Sequence, residues 1–163
     1  GDYVRDKDAV TASLLLTEMA AWYQSQGMTL FDALQALYEK YGYYGEKTHN
    51  LVMPGLDGLE KMAALMKNLR DVPPTEIAGV AVTARTDYKD GTITDCTTGQ
   101  VTASELKGSN VLRYTLADGT VILVRPSGTE PKIKVYILAR GKDAADAAAN
   151  VEKYGAWAEA LKG

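Results

Sequence analysis

Arg125-Pro126-Ser127-Gly128-Thr129-Glu130-Pro131-Lys132 concentrates, within one short run, most of the groups that grip an oxyanion. A guanidinium at Arg125 makes two parallel charge-assisted bonds to a carboxylate or phosphate. Ser127 and Thr129 add hydroxyl donors. Gly128 lets a ligand come close to the backbone, so that consecutive N–H groups form an anion-binding concavity. Pro126 drives Arg125 into an extended conformation and Pro131 stiffens the far side, which lowers the entropy lost on binding. The chemistry that fits is recognition of a phosphate monoester, whose charge is about −1.5 to −2. The same composition also suits a plain polar turn between two strands. It is not a P-loop, because no Gly-Lys-Ser/Thr is present and a strand, not a helix, follows.

Few other residues compete for a chemical role. His49 is the only histidine and has no serine or cysteine partner at a recognisable spacing, so it reads as a connector residue. Cys96 is the only cysteine, lies in a polar stretch, and reads as an incidental thiol. Asp6-Lys7-Asp8 has the look of a metal site but is better read as the acidic start of a helix. The 163 residues carry 18 Lys and Arg against 21 Asp and Glu, a net charge of −3, which argues against a nucleic-acid module. No apolar run is long enough to span a membrane. A single thiol allows no internal disulfide, which points to a reducing compartment, expected to be the cytoplasm. The chain opens on Gly1 without Met or a leader pattern and reads as cut from something longer.

The elements that must position the Arg125 loop follow from periodicity. Residues 8–26 predict a helix capped by Asp8 and ended by Gly27, with Val10, Leu14, Leu15, Met19 and Trp22 at helical spacing and apolar residues on the other faces too. Residues 30–41 predict a second helix, capped by Thr29 with Asp32. Both should expose an apolar face or hide it in a partner copy. Residues 43–54 read as an extended connector. A third helix starts at Asp57, with Glu60 completing a capping box, and Val72-Pro73-Pro74 stops it. A strand starts at Ile77, and residues 86–109, rich in Thr, Asp, Gly and Ser, predict a long mobile loop. Val111–Leu116 and Thr120–Val124 flank Asp118-Gly119, a pair suited to a type I′ hairpin. Lys132–Ala139 predicts another strand, and Asp143 to about Leu161 a last helix. The fold class is α+β: a small antiparallel sheet of about four strands flanked by helices, preceded by helices left over from an α/β domain. The implied organisation is 1–42, a connector at 43–54, and a phosphate-binding domain at 55–163.

The run Val124-Arg125-Pro126-Ser127-Gly128-Thr129-Glu130-Pro131-Lys132-Ile133-Lys134-Val135-Tyr136 closely resembles the phosphate-binding loop in the C-terminal domain of the α-D-phosphohexomutases, most of all the bacterial phosphoglucomutase/phosphomannomutase branch. Gly1 to Val10 is similar to that family's segment at the end of its third domain, and Leu59-Glu60-Lys61-Met62 and Leu69-Arg70 resemble it at fitting distances. The resemblance implies a four-domain enzyme interconverting hexose 1-phosphate and 6-phosphate. A phosphoserine of the first domain would donate the phosphoryl group, a hexose 1,6-bisphosphate would reorient, and Mg2+ on three aspartates of the second domain would assist. The fourth domain would clamp the non-reacting phosphate through Arg125, Ser127, Gly128 and Thr129 and close the cleft, with Lys7 matching a lysine that reaches the sugar phosphate. The phosphoserine and metal loops have no counterpart here, so this chain is expected to bind a phosphosugar without catalysis. Its partners would be the missing domains of the same enzyme, with self-association through helices 8–26 and 30–41 a further possibility, and neither nucleic acid nor membrane. A stand-alone phosphate or nucleic-acid binding module is the alternative.

Overall fold

The Asp8 carboxylate accepts the Thr11 N–H at 3.0 Å and so caps α1, Ala9–Ser25. Thr29 and Asp32 satisfy each other's backbone N–H groups at 3.1 and 2.8 Å, the reciprocal box that opens α2, Leu30–Tyr41. These helices come from a computed structural model that describes residues 7–162. The chain divides into two compact units at Gly42/Tyr43. In the first, α1 buries none of its described residues: Leu14 is 67% and Trp22 58% exposed. On α2, Phe31, Leu34 and Leu37 are exposed as well. The apolar faces expected from the sequence are present and open.

The second unit is built on β1 (Tyr43–Val52), α3 (Gly58–Asp71), β2 (Glu76–Ile77), β3 (Val80–Asp87), β4 (Thr92–Asp95), β5 (Val101–Ala103), β6 (Leu112–Leu116), β7 (Val121–Pro126), β8 (Lys132–Gly141) and α4 (Ala144–Ala160). All pairings are antiparallel, in the order β1-β8-β7-β6-β3-β4-β5, with β2 beside β3. The α+β class holds, but the sheet has eight strands, not about four.

Three segments account for the difference, the first being the strand expected from Ile77, which is two: β2 ends at Ile77 and turns back onto β3, Ile77↔Val80. Residues 43–52 are not a loose connector: they pair with β8 along their whole length, from Tyr43↔Gly141 to Val52↔Lys132. Residues 86–109 are not one long loop, because β3 continues to Asp87 and β4 and β5 form a hairpin within it. Its turn is held by the Asp95 carboxylate, which accepts N–H groups from Thr97 and Thr98 at 2.8 and 3.1 Å. The β6–β7 turn also differs from expectation. Gly119 has φ +84° but Asp118 has no positive φ, as a type I′ turn would require. Gly119 N–H instead donates to the Leu116 carbonyl and Leu116 N–H to Thr120, a three-residue loop closed by a glycine bulge.

One core lies between the inner sheet face and the helices α3 and α4. Along β8, Ile133, Val135, Ile137 and Ala139 are fully buried, while Lys132, Lys134, Tyr136 and Leu138 alternate onto the open face. Helix α4 contributes Ala147, Val151, Tyr154 and Ala158, with Leu161 just beyond it also packed on the core. Asp143 caps it, accepting the Asp146 N–H at 2.8 Å. Helix α3 buries Met66 and Leu69, but the expected box at Asp57 is absent: Asp57 makes no cap bond and pairs instead with Lys61 at 2.9 Å.

Two polar ties fasten the helices. Arg70 of α3 donates to the nearly buried Asp87 of β3 through Nε at 2.7 Å and to Asn110 through Nη2 at 2.7 Å. Burial pushes the Asp87 carboxyl up, yet the Arg70 hydrogen bonds and the Lys89 amide outweigh it and hold it below the usual carboxylate range. Tyr154 of α4 donates its hydroxyl to the Asp118 carboxylate in the β6–β7 turn. Burial, then the aspartate itself, pushes that phenol above its ordinary value. Among the described residues, no helix is long and apolar enough to cross a membrane.

Candidate phosphate site

Strand β7 ends at Pro126 and β8 begins at Lys132, so the Arg125-led run is the turn between two central, fully paired strands. Arg125 lies opposite Lys134, and both alternate with inward residues, which puts them on the open face of the sheet. The Arg125 side chain is exposed and enters no hydrogen bond or ion pair among the described residues. Its guanidinium is therefore available to a ligand.

The turn is closed internally. Ser127 N–H donates to the Lys132 carbonyl at 2.8 Å, and Lys132 N–H turns back to Glu130 at 2.7 Å, tightening the chain around Pro131. Met53 N–H, just past β1, donates to the Pro131 carbonyl at 2.8 Å. These bonds correct one expectation: the Ser127 amide is already used, so an unbroken run of free N–H groups does not exist. Thr129 N–H approaches the Ser127 hydroxyl oxygen at 3.4 Å, while Gly128 and Glu130 keep unspent amides. Gly128 has no positive φ, and a Cβ there would meet nothing within 4 Å. What it supplies is open approach, not a special backbone conformation.

Arg125, Ser127, Gly128 and Thr129 are thus brought together on one turn, with Lys132 and Lys134 beside them. Three cations meet one carboxylate, Glu130, in a chain whose net charge is −3. Lys132 pairs with Glu130; its hydrogen bond first, then its charge, hold the Glu130 carboxyl below its usual range. The local field favours an anion.

Lys7 belongs to the other unit, where it is exposed just ahead of the cap Asp8. Residues 1–6, which carry the start of the opening motif and Asp6, lie outside the described residues. His49 proves to be a packed residue of β1, not a connector residue. Its Nδ1 lies 2.8 Å from Glu159 Oε1 of α4, and its buried Nε2 has no partner. Cys96 is exposed, with its sulfur 3.8 Å from the Thr94 carbonyl. What sequence reasoning missed is Met53, whose amide anchors the turn; no side-chain pattern could signal a purely backbone contact.

Residues 50–153 match the family described as phosphoglucomutase/phosphomannomutase, C-terminal domain. The chain is 36% identical over 152 residues to a phosphoglucomutase of Staphylococcus aureus, covering 91% of this chain and 27% of that protein. It is 35% identical over 135 residues to a phosphoglucomutase of Staphylococcus epidermidis, covering 83% and 24%. It therefore spans about a quarter of the length of the curated relatives it matches. A crystal structure of parafusin, a phosphoglucomutase from Paramecium, in its open form shares the fold at TM-score 0.58 and 18% identity, over 99% of this chain and 28% of that one. A domain-length match on this scale, joined to the turn between β7 and β8, settles the kinship: the chain belongs to the phosphoglucomutase/phosphomannomutase C-terminal domain family.

Proposed function

We propose that the β7–β8 turn clamps the non-reacting phosphate of a phosphosugar, as the C-terminal part of an enzyme interconverting hexose 1-phosphate and hexose 6-phosphate. The observation that carries this reading is Arg125, exposed and without a partner among the described residues, at the mouth of a turn that Ser127, Lys132 and Met53 hold closed. Arg125 would donate two parallel N–H bonds to the phosphate, and the Ser127 and Thr129 hydroxyls and the Gly128 amide would complete the grip. Every contact is non-covalent and on an open surface. Such a grip can release one phosphate of a hexose 1,6-bisphosphate and take the other as the sugar turns round.

No nucleophile with a base at hydrogen-bond distance lies beside the turn among the described residues, so these groups hold and orient but do not transfer. The chain by itself would bind without turnover, and closure of the cleft around the substrate would bring the clamp to chemistry carried by other domains of the same enzyme. Those domains would also cover the apolar faces of α1 and α2; in the chain alone, self-association through these faces is the expected substitute. By the family resemblance Lys7 is a further candidate contact to the phosphosugar. A phosphoglucomutase-type reaction implies Mg2+, but no group of three His, Cys, Asp or Glu converges among the described residues. The residues present do not fit that ion, which would be held by another domain of the enzyme.

Isothermal titration of the chain with glucose 6-phosphate tests the reading. Binding is expected at the turn, and Arg125→Ala should weaken it by about 2 kcal/mol, as for hydrogen bonds to charged groups. Binding that survives the substitution unchanged refutes the site.

A further inference from the structure

A glycine outside the turn is placed to hold it in shape. We propose that Gly58, in the first turn of α3, is a positioning residue for the phosphate-gripping turn, acting through Met53 and Pro131. The inference rests on the reading of that turn as a phosphate clamp. Gly58 has no positive φ, so its backbone does not call for glycine. Space does: a Cβ there would overlap the Met53 carbonyl oxygen and stand 3.0 Å from the Pro131 Cβ.

From that point the contacts run directly into the clamp. Met53 N–H holds the Pro131 carbonyl at 2.8 Å, so the residue crowded by Gly58 on its carbonyl side grips the turn on its amide side. Pro131 lies between Glu130 and Lys132, whose backbone closes on itself at 2.7 Å and then accepts the Ser127 N–H at 2.8 Å. Ser127 is two residues from Arg125. Gly55, with φ +104°, accepts the Gly58 N–H at 3.2 Å and so bends the chain back to bring α3 against this junction. The end of β1, the start of α3 and the closing limb of the turn therefore form one backbone junction that only a residue without a side chain can complete. Because packed backbone cannot yield by small increments, an added methyl must displace either α3 or Met53, and with Met53 the Pro131 limb that its amide holds.

The test uses the whole chain, labelled with 15N, with inorganic phosphate as the probe. Phosphate affinity is read from amide shifts at Gly128 and Thr129, and the state of the junction from hydrogen exchange at Met53 and Ser127. Gly58→Ala should weaken phosphate binding on the order of tenfold, within the hundredfold that about 1 Å of misplacement can cost, and lose protection at both amides. Pro131→Gly, which removes the abutting Cβ without adding bulk, should do the same and decides the matter if Gly58→Ala fails to fold. The control is Gly45→Ala at the other end of β1, where a Cβ would stand 2.7 Å from Val151 Cγ2. It should lower stability yet leave phosphate affinity and both amides as in the parent. Gly58→Ala or Pro131→Gly with parental affinity and protection overturns the proposal, as does Gly45→Ala weakening phosphate equally. If the parent chain itself shows no phosphate shifts, the clamp reading fails. Exchange at Met53 and Ser127 then still decides the junction: protection kept in Gly58→Ala overturns it, and protection lost supports it.

Discussion

Arg70 and Arg125 are the same side chain put to opposite uses. Arg70 is mostly withdrawn from water, divided between Asp87 and Asn110, and ties α3 to β3. Arg125 stands at the end of a central strand, exposed and without a partner among the described residues. A protein gains little from leaving a guanidinium free on its surface, and much from pairing one that is buried. The contrast sets an arginine engaged inside the fold against one left open to a ligand, and mutation should separate the two roles proposed for them.

The largest effect on stability is expected at Arg70. Arg70→Ala leaves Asp87 nearly buried without the guanidinium bonded to it and should cost about 3 kcal/mol in urea unfolding. Next comes Tyr154→Phe, which takes the hydroxyl from Asp118 while leaving the ring in the core. About 1 kcal/mol is expected in the same measurement. Asp143→Ala should cost a similar amount, about 1 kcal/mol, by uncapping α4. Asp57→Ala should change the unfolding midpoint immeasurably, since Asp57 makes no cap bond.

Acid sharpens the comparison further. The Asp87 and Asp118 carboxyls are both held below their ordinary value of 3.8 in the folded chain. A depressed folded pKa contributes stability that is fully present above the unfolded pKa and lost as pH falls through the folded one. Stability should therefore decline below about pH 4. Asp87→Asn should start less stable at pH 7 and show a shallower decline between about pH 4 and pH 2. A parallel decline would mean that Asp87 does not carry the acid sensitivity.

The candidate site, the Arg125 turn, was the part of the chain whose proposed chemistry stood out in the sequence, because it is written in side chains: one arginine, two hydroxyls, a glycine and two prolines in sequence. Helices α1, α2 and α4 were legible for a related reason, since Asp8, Thr29 and Asp143 cap them and apolar spacing marks their length. Strand β1 was not. Leu51 is buried, but Gly45, Lys47 and His49 on the same side of the strand are not apolar: they meet α4 through close approach to Val151, an exposed ion pair with Glu152 and a hydrogen bond with Glu159. Strands β4 and β5 escaped as well: their Thr- and Asp-rich residues are joined by backbone pairing and an aspartate-held turn. What the turn rests on, the Met53–Pro131 bond and the space at Gly58, is backbone packing and leaves no periodic trace.

The most direct measurement pairs affinity with stability on the same samples of parent, Arg125→Ala and Arg70→Ala chains: glucose 6-phosphate titration beside urea unfolding. The account predicts that Arg125→Ala binds about 30-fold more weakly, the counterpart of about 2 kcal/mol, while unfolding within about 0.5 kcal/mol of the parent. Arg70→Ala should do the reverse, losing stability while its folded fraction binds normally. Parental affinity in Arg125→Ala, or affinity lost only in step with stability, would contradict the assignment of the free arginine as the phosphate's partner.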